Sequence, residues 1–260
     1  MIYLTTRPLW VLGILVGLAT LLAMLGPIVV RRRLGLEWLS TNNEVAGFKF
    51  ATIGVLYAVL LGFAVIVVWE EFNGAESAVV EEAGAAATLY RLSDGIGGAS
   101  GAALRDKLSD YLKIAITEEW PAMERGRASP AATHALDRVY AALLTFHPND
   151  PREASIQADA LHHLSVLTRE RRDRLVKATG IVPDVLWLVL FGGAVLTVCF
   201  TFFFGTPNLR AQTMMTGMLA VLIFGALFVV VVIDHPFSGT VKVTSDPLAA
   251  VLADFGKSPP

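Results

Sequence analysis

Carboxylates are the most concentrated chemically active side chains in this sequence. They occur between positions 70 and 82 as Glu70, Glu71, Glu76, Glu81 and Glu82. On a solvent-exposed helix such residues form an ordinary hydrated face. The alternative is that they line the vestibule of a pore, where rings of carboxylates attract cations. Glu70 and Glu71 directly follow an apolar segment and are the candidates for such a vestibule.

The histidines and the single cysteine offer no catalytic or metal-binding arrangement. His162 and His163 are adjacent, so on a helix their side chains point about 100° apart and do not readily share a metal. Cys199 lies inside an apolar run, which is typical of a small packing residue. The sequence contains no nucleophile elbow, P-loop, dinucleotide fingerprint or zinc-protease motif. We therefore predict that the protein is not an enzyme and uses no metal or other cofactor.

Residues 54–63 contain two sets of side chains, each repeating every four positions. One set is small: Gly54, Ala58 and Gly62. The other set is bulky and apolar: Val55, Val59 and Phe63. Small residues at this spacing let a neighbouring helix approach closely. The apolar set faces lipid or core if the helix stands alone, whereas around the axis of an oligomer it forms a ring that can gate ions by dewetting.

The helix predicted to hold these two sets is one of four long apolar segments. The chain of 260 residues is 54% hydrophobic and 17% charged, whereas soluble domains contain about 25% charged residues. The apolar segments cover residues 9–30, 50–69, 185–204 and 212–233. Each is about 20 residues long, enough for a helix to cross a bilayer. We predict four transmembrane helices, the first of them retained rather than cleaved as a signal peptide.

Ordinary polarity between the second and third spans predicts a helical soluble domain. Helical periodicity and the positions of Gly and Pro predict helices at 70–91, 102–119, 131–146 and 153–178. Pro121 is predicted to end the second of these, and a short helix is predicted near residues 247–254.

The predicted fold class is all-α, with four transmembrane helices and a helical soluble bundle inserted between helices 2 and 3. Residues 1–69 hold transmembrane helices 1 and 2 with a basic loop, and residues 70–184 form the extramembrane domain. Residues 185–233 hold transmembrane helices 3 and 4, and residues 234–260 form a C-terminal tail. The net charge of −2 and the lack of a basic stripe give no basis for nucleic-acid binding.

The basic residues indicate two opposite orientations in the membrane. The first loop contains Arg31, Arg32, Arg33 and Lys49, and by the positive-inside rule this favours a cytoplasmic loop and an external domain. A larger number of basic residues lies on the opposite side, mainly in segment 169–177, and this favours a cytoplasmic domain.

Two stretches of the chain resemble the bestrophin family of anion channels. Residues 61–73, with Leu-Gly-Phe, an apolar turn and Trp before a polar exit, are similar to the pore-lining second helix of bestrophins. Asp234, His235, Pro236 and Phe237 resemble the Asn/Asp-Pro-Phe-Gly segment of bacterial bestrophins. Nearly the whole chain resembles a bacterial bestrophin-like family of unknown function, through residues 43–48, 54–61, 118–123 and 234–239.

The resemblance implies a homo-oligomer, expected to be a pentamer, around one central pore in a bacterial inner membrane. It places Val55, Val59 and Phe63 at the neck of that pore and the soluble domain, both termini and the segment at 234–237 in the cytoplasm. Two features depart from the bestrophin pattern. Valine replaces phenylalanine in the neck, and residues 238–242 lack the acidic calcium clasp of animal bestrophins, so calcium gating is not expected.

Two functional hypotheses follow. In the first, the protein is a bestrophin-like oligomeric ion channel that conducts anions such as chloride through an apolar neck formed by transmembrane helix 2. In the alternative, it is a non-conducting membrane protein whose helical domain binds a partner or relays a signal. The oligomeric state separates them, because a monomer or dimer has no ring of neck residues.

Overall fold

The computed structural model describes residues 8–41 and 43–256, and these residues form helices and connecting turns without any β-strand. Four of the described helices are long and apolar enough to cross a membrane, judged by length and composition. They are α1 (Leu9–Leu34), α3 (Asn43–Ile96), α8 (Asp184–Phe200) and α9 (Leu209–Ile233). A 3₁₀ turn, Thr201–Phe203, extends α8. The shorter helices are α2 (Leu36–Thr41), α4 (Gly98–Ile114), α5 (Trp120–Met123), α6 (Pro130–Leu144), α7 (Pro151–Lys177) and α10 (Asp246–Phe255).

The longest helix, α3, contributes to both compact units of the chain. One unit holds the described residues up to Glu70 together with Ile181–Asp234, and the other holds Glu71–Gly180 together with the described residues from His235 onward. The helix has 54 residues, which corresponds to about 81 Å at 1.5 Å per residue. No proline interrupts it, and the predicted continuation through residues 70–91 is confirmed.

In the first unit, α9 packs along α1, and a Cβ atom on Gly217 of α9 would lie 2.9 Å from the Met24 sulfur of α1. The turn that follows α8 also packs closely on α1. A Cβ atom on Gly26 would lie 2.3 Å from the ring of Phe202, so only glycine leaves room for that ring. The loop before α9 is fixed to the end of α1, because Arg31 Nη1 donates a hydrogen bond of 2.9 Å to the carbonyl of Thr206.

Tyr57 joins α3 to α8 within the same unit. Its hydroxyl donates a hydrogen bond of 2.9 Å to the carbonyl of Leu190. A Cβ atom on Gly193 would lie 2.5 Å from the Tyr57 ring, so the ring rests directly on the α8 backbone. Asn43, at the start of α3, exchanges hydrogen bonds with both backbone groups of Gly205, at 2.6 and 2.9 Å.

The second unit is a helical bundle with an apolar core. Its helices begin at sites typical of N-termini: Pro130 follows the capping residue Ser129, and Pro151 follows the capping residue Asp150. A stripe of α7 packs into the core through Ala160, Leu164 and Leu167. The stripes of α3 and α4 that meet this core include Ala75, Val79, Ala86, Leu89, Leu104, Leu108 and Leu112.

The prediction that Pro121 ends its helix is wrong. The chain continues from α4 through a π-helical turn, Ala115–Glu119, into α5, and Pro121 lies in the first turn of α5. A proline inside a regular α-helix clashes with the carbonyl four residues earlier. The π turn just before Pro121 changes the hydrogen-bond spacing, because the Trp120 N–H donates to the carbonyl of Ala115, five residues back. The chain can therefore continue as a helix through Pro121.

Candidate functional site

The apolar stripe of α3 lies on the opposite side of the helix from the residues that pack within the chain. Tyr57 and Leu61 are buried at 8% exposure each. Val59 lies two positions from both, about 200° around the helix axis. The stripe is correspondingly exposed in the single chain, with Val55 at 63%, Val59 at 52% and Phe63 at 65%. The helix therefore has one side that packs in the chain and another that presents large apolar side chains outward.

Within residues 8–41 and 43–256, the small residues of α3 have open space beside them. Nothing lies within 4 Å of a Cβ atom built on Gly54 or on Gly62, and Ala58 is exposed. Each of these residues precedes one residue of the apolar stripe, so the two sets lie side by side on adjacent faces. Among the described residues no other helix packs on Gly54 or Gly62, so the predicted role in helix packing stays a prediction about a second copy.

An apolar cleft of about 410 Å³ adjoins the stripe on its α8 side. Val59 and Phe63 line one wall, and the segment Ile181–Pro183 with Leu186 lines the other. The backbone of that segment is fixed by Asp234, whose Oδ1 accepts hydrogen bonds from the N–H groups of Ile181 at 3.3 Å and Val182 at 2.8 Å. Asp234 is 1% exposed and thus positions the chain that enters α8.

The rest of the predicted segment at 234–237 is buried in the second unit. The ring of His235 lies against the backbone of Gly180, where a Cβ atom would come within 2.9 Å of Nε2. Gly180 has φ +99°, which also requires glycine. Pro236 accepts a hydrogen bond of 2.7 Å from the Val243 N–H, and Phe237, at 1% exposure, is among the largest fully buried side chains.

The five glutamates of α3 between positions 70 and 82 do not form one solvated face, since Glu76 and Glu81 are exposed but the others differ in their surroundings. Glu70 is exposed and lies seven residues, or two turns, beyond Phe63. Glu71 forms an ion pair with Lys177, so its charge is partly compensated. Glu82 has no exposed surface, and the expectation that it belongs to a hydrated face is wrong.

Glu82 belongs to a buried ion-pair cluster that also contains Glu119, Arg171 and Arg174. Arg174 donates to Glu82 through Nε at 2.7 Å and Nη2 at 3.0 Å, and Nη2 also donates to Glu119 at 2.9 Å. Arg171 donates to the two oxygens of Glu119 at 2.6 and 3.0 Å. The Tyr111 hydroxyl completes the cluster by donating to Glu82 at 2.5 Å.

The cluster is tied to the segment at 234–237 through Trp120. The guanidinium carbon of Arg174 lies 4.7 Å from the centre of the Trp120 ring, a cation–π contact. Phe237 meets the same ring edge-on, with centroids 5.9 Å apart. The π turn therefore places Glu119 in the ion pairs and Trp120 between the cluster and Phe237.

Burial and charge shift the pKa values in this cluster in ways that favour its ion pairs. Burial raises the pKa of the Tyr111 hydroxyl well above its ordinary value, and the nearby Glu82 charge raises it further. For Arg174, burial alone would lower the pKa, but the charge of Glu82 and its hydrogen bond more than offset this, and the pKa is raised. The negative charges of the two carboxylates equal the positive charges of the two guanidinium groups, so the cluster is electrically neutral and joins the helices that carry it.

Sequence reasoning missed this cluster, although a signal was present. On α7, Arg171 and Arg174 continue the core spacing of Leu164 and Leu167. On α3, Glu82 occupies a core position one turn after Val79. Charged residues at core positions of facing helices indicate buried pairing, because an unpaired buried charge is strongly unfavourable.

Within residues 8–41 and 43–256, no group of three or more His, Cys, Asp or Glu side chains is placed to hold a metal ion. His163 contacts Asp159 at 3.8 Å as an ordinary neighbouring pair on α7. The described residues form a helical protein with four membrane-capable helices and an outward-facing apolar stripe on α3.

Comparison with known proteins defines the class and then the family. A bacterial bestrophin homologue from Klebsiella pneumoniae, carrying one mutation, has a crystal structure that matches with a TM-score of 0.72 at 15% identity, covering 94% of this chain and 99% of that one. A second mutant of the same homologue matches with a TM-score of 0.70 at 18% identity, covering 93% and 98%. A further membrane protein matches with a TM-score of 0.73 at 16% identity, covering 94% and 100%. The fold is therefore that of bacterial bestrophin homologues.

The family model described as "Bestrophin-like domain" matches residues 17–248, and the chain belongs to the bestrophin-like family of membrane proteins. The resemblance seen in the sequence is thereby confirmed. A sequence search against curated proteins gives no match.

Proposed function

We propose that this protein is an oligomeric ion channel whose pore is lined by α3 and narrowed by Val55, Val59 and Phe63. The observation that carries the proposal is the two-sided character of α3. Its packing side holds Tyr57 and Leu61 inside the chain, and its opposite side presents a row of large apolar residues outward. Around the axis of an oligomer this row becomes an apolar neck that gates ions by dewetting.

The neighbouring small residues support an oligomer built on α3. Gly54, Ala58 and Gly62 have open space above them in the single chain and lie beside the apolar row. Small residues in this arrangement allow the α3 helix of a second copy to approach closely. The family resemblance supports a pentamer, in which each α3 contacts two others and turns its apolar row to the axis.

The proposed topology has four transmembrane helices, α1, the first part of α3, α8 and α9, in a bacterial inner membrane. The bundle formed by Glu71–Gly180 is inserted between the second and third spans and lies in the cytoplasm with both termini. The partners of the protein are then the lipid bilayer, further copies of itself and inorganic ions.

The family resemblance supports conduction of anions such as chloride, and one observation favours cations instead. Glu70 is exposed two turns beyond Phe63, on the pore-facing row of the proposed neck. In an oligomer it would form a ring of carboxylates at the exit of the neck, which attracts cations. Glu71 contributes less to this ring because it is paired with Lys177.

The decisive experiment is ion flux through purified protein in liposomes, with the oligomer verified by chemical crosslinking. Wild-type flux above that of empty vesicles is expected, and V59A and F63A are expected to change it by widening the neck. L22A is the matched control, because Leu22 is an equally exposed apolar residue, at 68%, on α1. Flux that responds to L22A as much as to F63A, or an intact oligomer without flux, would contradict the proposed neck.

Ion selectivity is read from the reversal potential in a salt gradient across a planar bilayer. A reversal potential near that of chloride supports anion conduction. A reversal potential near that of the cation, reduced by E70Q, assigns selectivity to the carboxylate ring. E124Q serves as the control substitution, because Glu124 follows α5 rather than lying on α3 and is paired with Lys242.

A further inference from the structure

A second cleft, of about 370 Å³, lies between the end of α1 and the start of α9. Its lining is mainly apolar and consists of Ile28, Leu209, Arg210, Thr213 and Met214. Arg210 is exposed and is the only charged residue of this lining. The cleft thus combines an apolar floor with a guanidinium group at one side.

Further positive charge lies at the end of α1. Arg32 follows Ile28 by four residues and therefore lies on the same side of that helix, one turn closer to the helix end. Arg31 is held against the loop before α9 by its hydrogen bond to Thr206. Arg32, Arg33 and Arg210 form no ion pair with a carboxylate within the described ranges, and the first turn of α9 contains no acidic residue.

We propose that this cleft binds one anionic phospholipid of the bilayer, with an acyl chain against Ile28 and Met214 and the phosphate between Arg210 and Arg32. Arginine suits this role, because its planar guanidinium group binds phosphate through paired hydrogen bonds. Basic pockets between transmembrane helices bind anionic headgroups on the cytoplasmic side of membranes; in the proposed topology this cleft lies at the opposite side and takes a lipid of the outer leaflet of the inner membrane. This inference goes beyond ion conduction and depends only on insertion of α1 and α9 in the membrane.

A lipid fits the cleft better than a free anion does. The Thr213 hydroxyl already donates to the carbonyl of Leu209 at 2.9 Å, so the guanidinium groups are the main donors that remain for a phosphate. A free phosphate would leave the apolar floor open to water. A phospholipid covers this floor with its acyl chain and brings its charge to the arginines.

The test uses the whole 260-residue chain, purified in detergent micelles that contain phosphatidylglycerol and phosphatidylcholine, with the retained lipids quantified. We expect wild type to retain more phosphatidylglycerol than the micelle composition provides. R210Q and R32Q should each weaken this binding by about fivefold, since one basic residue near a lipid surface contributes about 1 kcal/mol. R138Q is the matched control, because Arg138 is exposed on α6, in the other compact unit.

A variant that keeps every charge tests whether misfolding, rather than loss of the site, lowers lipid retention. T213F fills the floor of the cleft and should also lower lipid retention, with oligomer size checked by chromatography. Equal retention of the two lipids by wild type, or equal behaviour of R210Q and R138Q, would overturn the proposal. Competition by soluble glycerol phosphate as strong as that by phosphatidylglycerol would also overturn it, because the site would then bind free anions.

Discussion

Removal of Arg174 should show how strongly the buried cluster stabilises the second unit. Arg174 has no exposed surface and makes three hydrogen bonds to the carboxylates of Glu82 and Glu119. In R174M the apolar stem keeps much of the packing, but the charge balance is lost. Glu82 retains the Tyr111 hydroxyl as its hydrogen-bond donor, and Glu119 retains Arg171.

The magnitude follows from the loss of one partner in a buried pair. Such a loss costs about 3–5 kcal/mol, because a buried charge is left without compensation. For a chain of this size, each kcal/mol lowers the midpoint of thermal unfolding by about 2–4 °C. R174M should therefore unfold about 6–20 °C below wild type. Intrinsic fluorescence of the detergent-purified protein can follow the transition, since Trp120 stacks on the Arg174 guanidinium.

A double variant and a surface control make this prediction refutable. In E82Q/R174M the remaining charges, Glu119 and Arg171, balance again. The losses of unfolding free energy in E82Q and in R174M should therefore add up to about 1–3 kcal/mol more than the loss in the double variant. R172M removes an arginine from the exposed side of the same helix and should change the midpoint little. Equal shifts in R174M and R172M, or strict additivity in the double variant, would refute the argument from charge balance.

Two further substitutions test other contacts. Because the pKa of Tyr111 is raised in the folded state, wild type should lose stability from about pH 10 upward, where the unfolded chain ionises first. The stability gap between wild type and Y111F, measured by thermal unfolding, should therefore shrink above pH 10, and a gap that is the same at pH 8 and pH 11 would contradict this. In α8, G193A should lower stability by about 1–3 kcal/mol by pushing a Cβ atom into the Tyr57 ring. G192A should leave stability nearly unchanged, because nothing lies within 4 Å of a Cβ atom at that position. Equal unfolding temperatures of G193A and G192A would disprove the close contact between Gly193 and the Tyr57 ring.

The elements of the fold could be predicted closely because their signals are local. Long apolar runs specify the four membrane-capable helices, and Pro130 and Pro151 mark the helix starts at α6 and α7. The break at Gly97, with φ +68°, is also a local property. Pro121 misled the prediction, because the π turn that accommodates it depends on where Glu119 and Trp120 must point in the bundle.

Part of the candidate site could likewise be predicted from local sequence, and part depends on tertiary packing. The spacing of Val55, Val59 and Phe63 on one side of α3 follows from helix geometry, and the structure places that side away from the packing of the chain. The partners of Glu82 follow from tertiary packing, since Arg174 is 92 residues further along the chain. Periodicity can show that a charged residue occupies a core position, but only the packed helices show which charge neutralises it.

The geometry of α3 makes the proposed conduction separable from stability by experiment. Leu61 and Phe63 are two residues apart, yet one packs inside the chain and the other is exposed. L61A should therefore lower the unfolding temperature, because it creates a cavity against the packed helices. F63A should leave that temperature nearly unchanged and alter ion flux. If F63A changes only ion flux and L61A changes only stability, the two results together define which side of α3 faces the proposed pore axis.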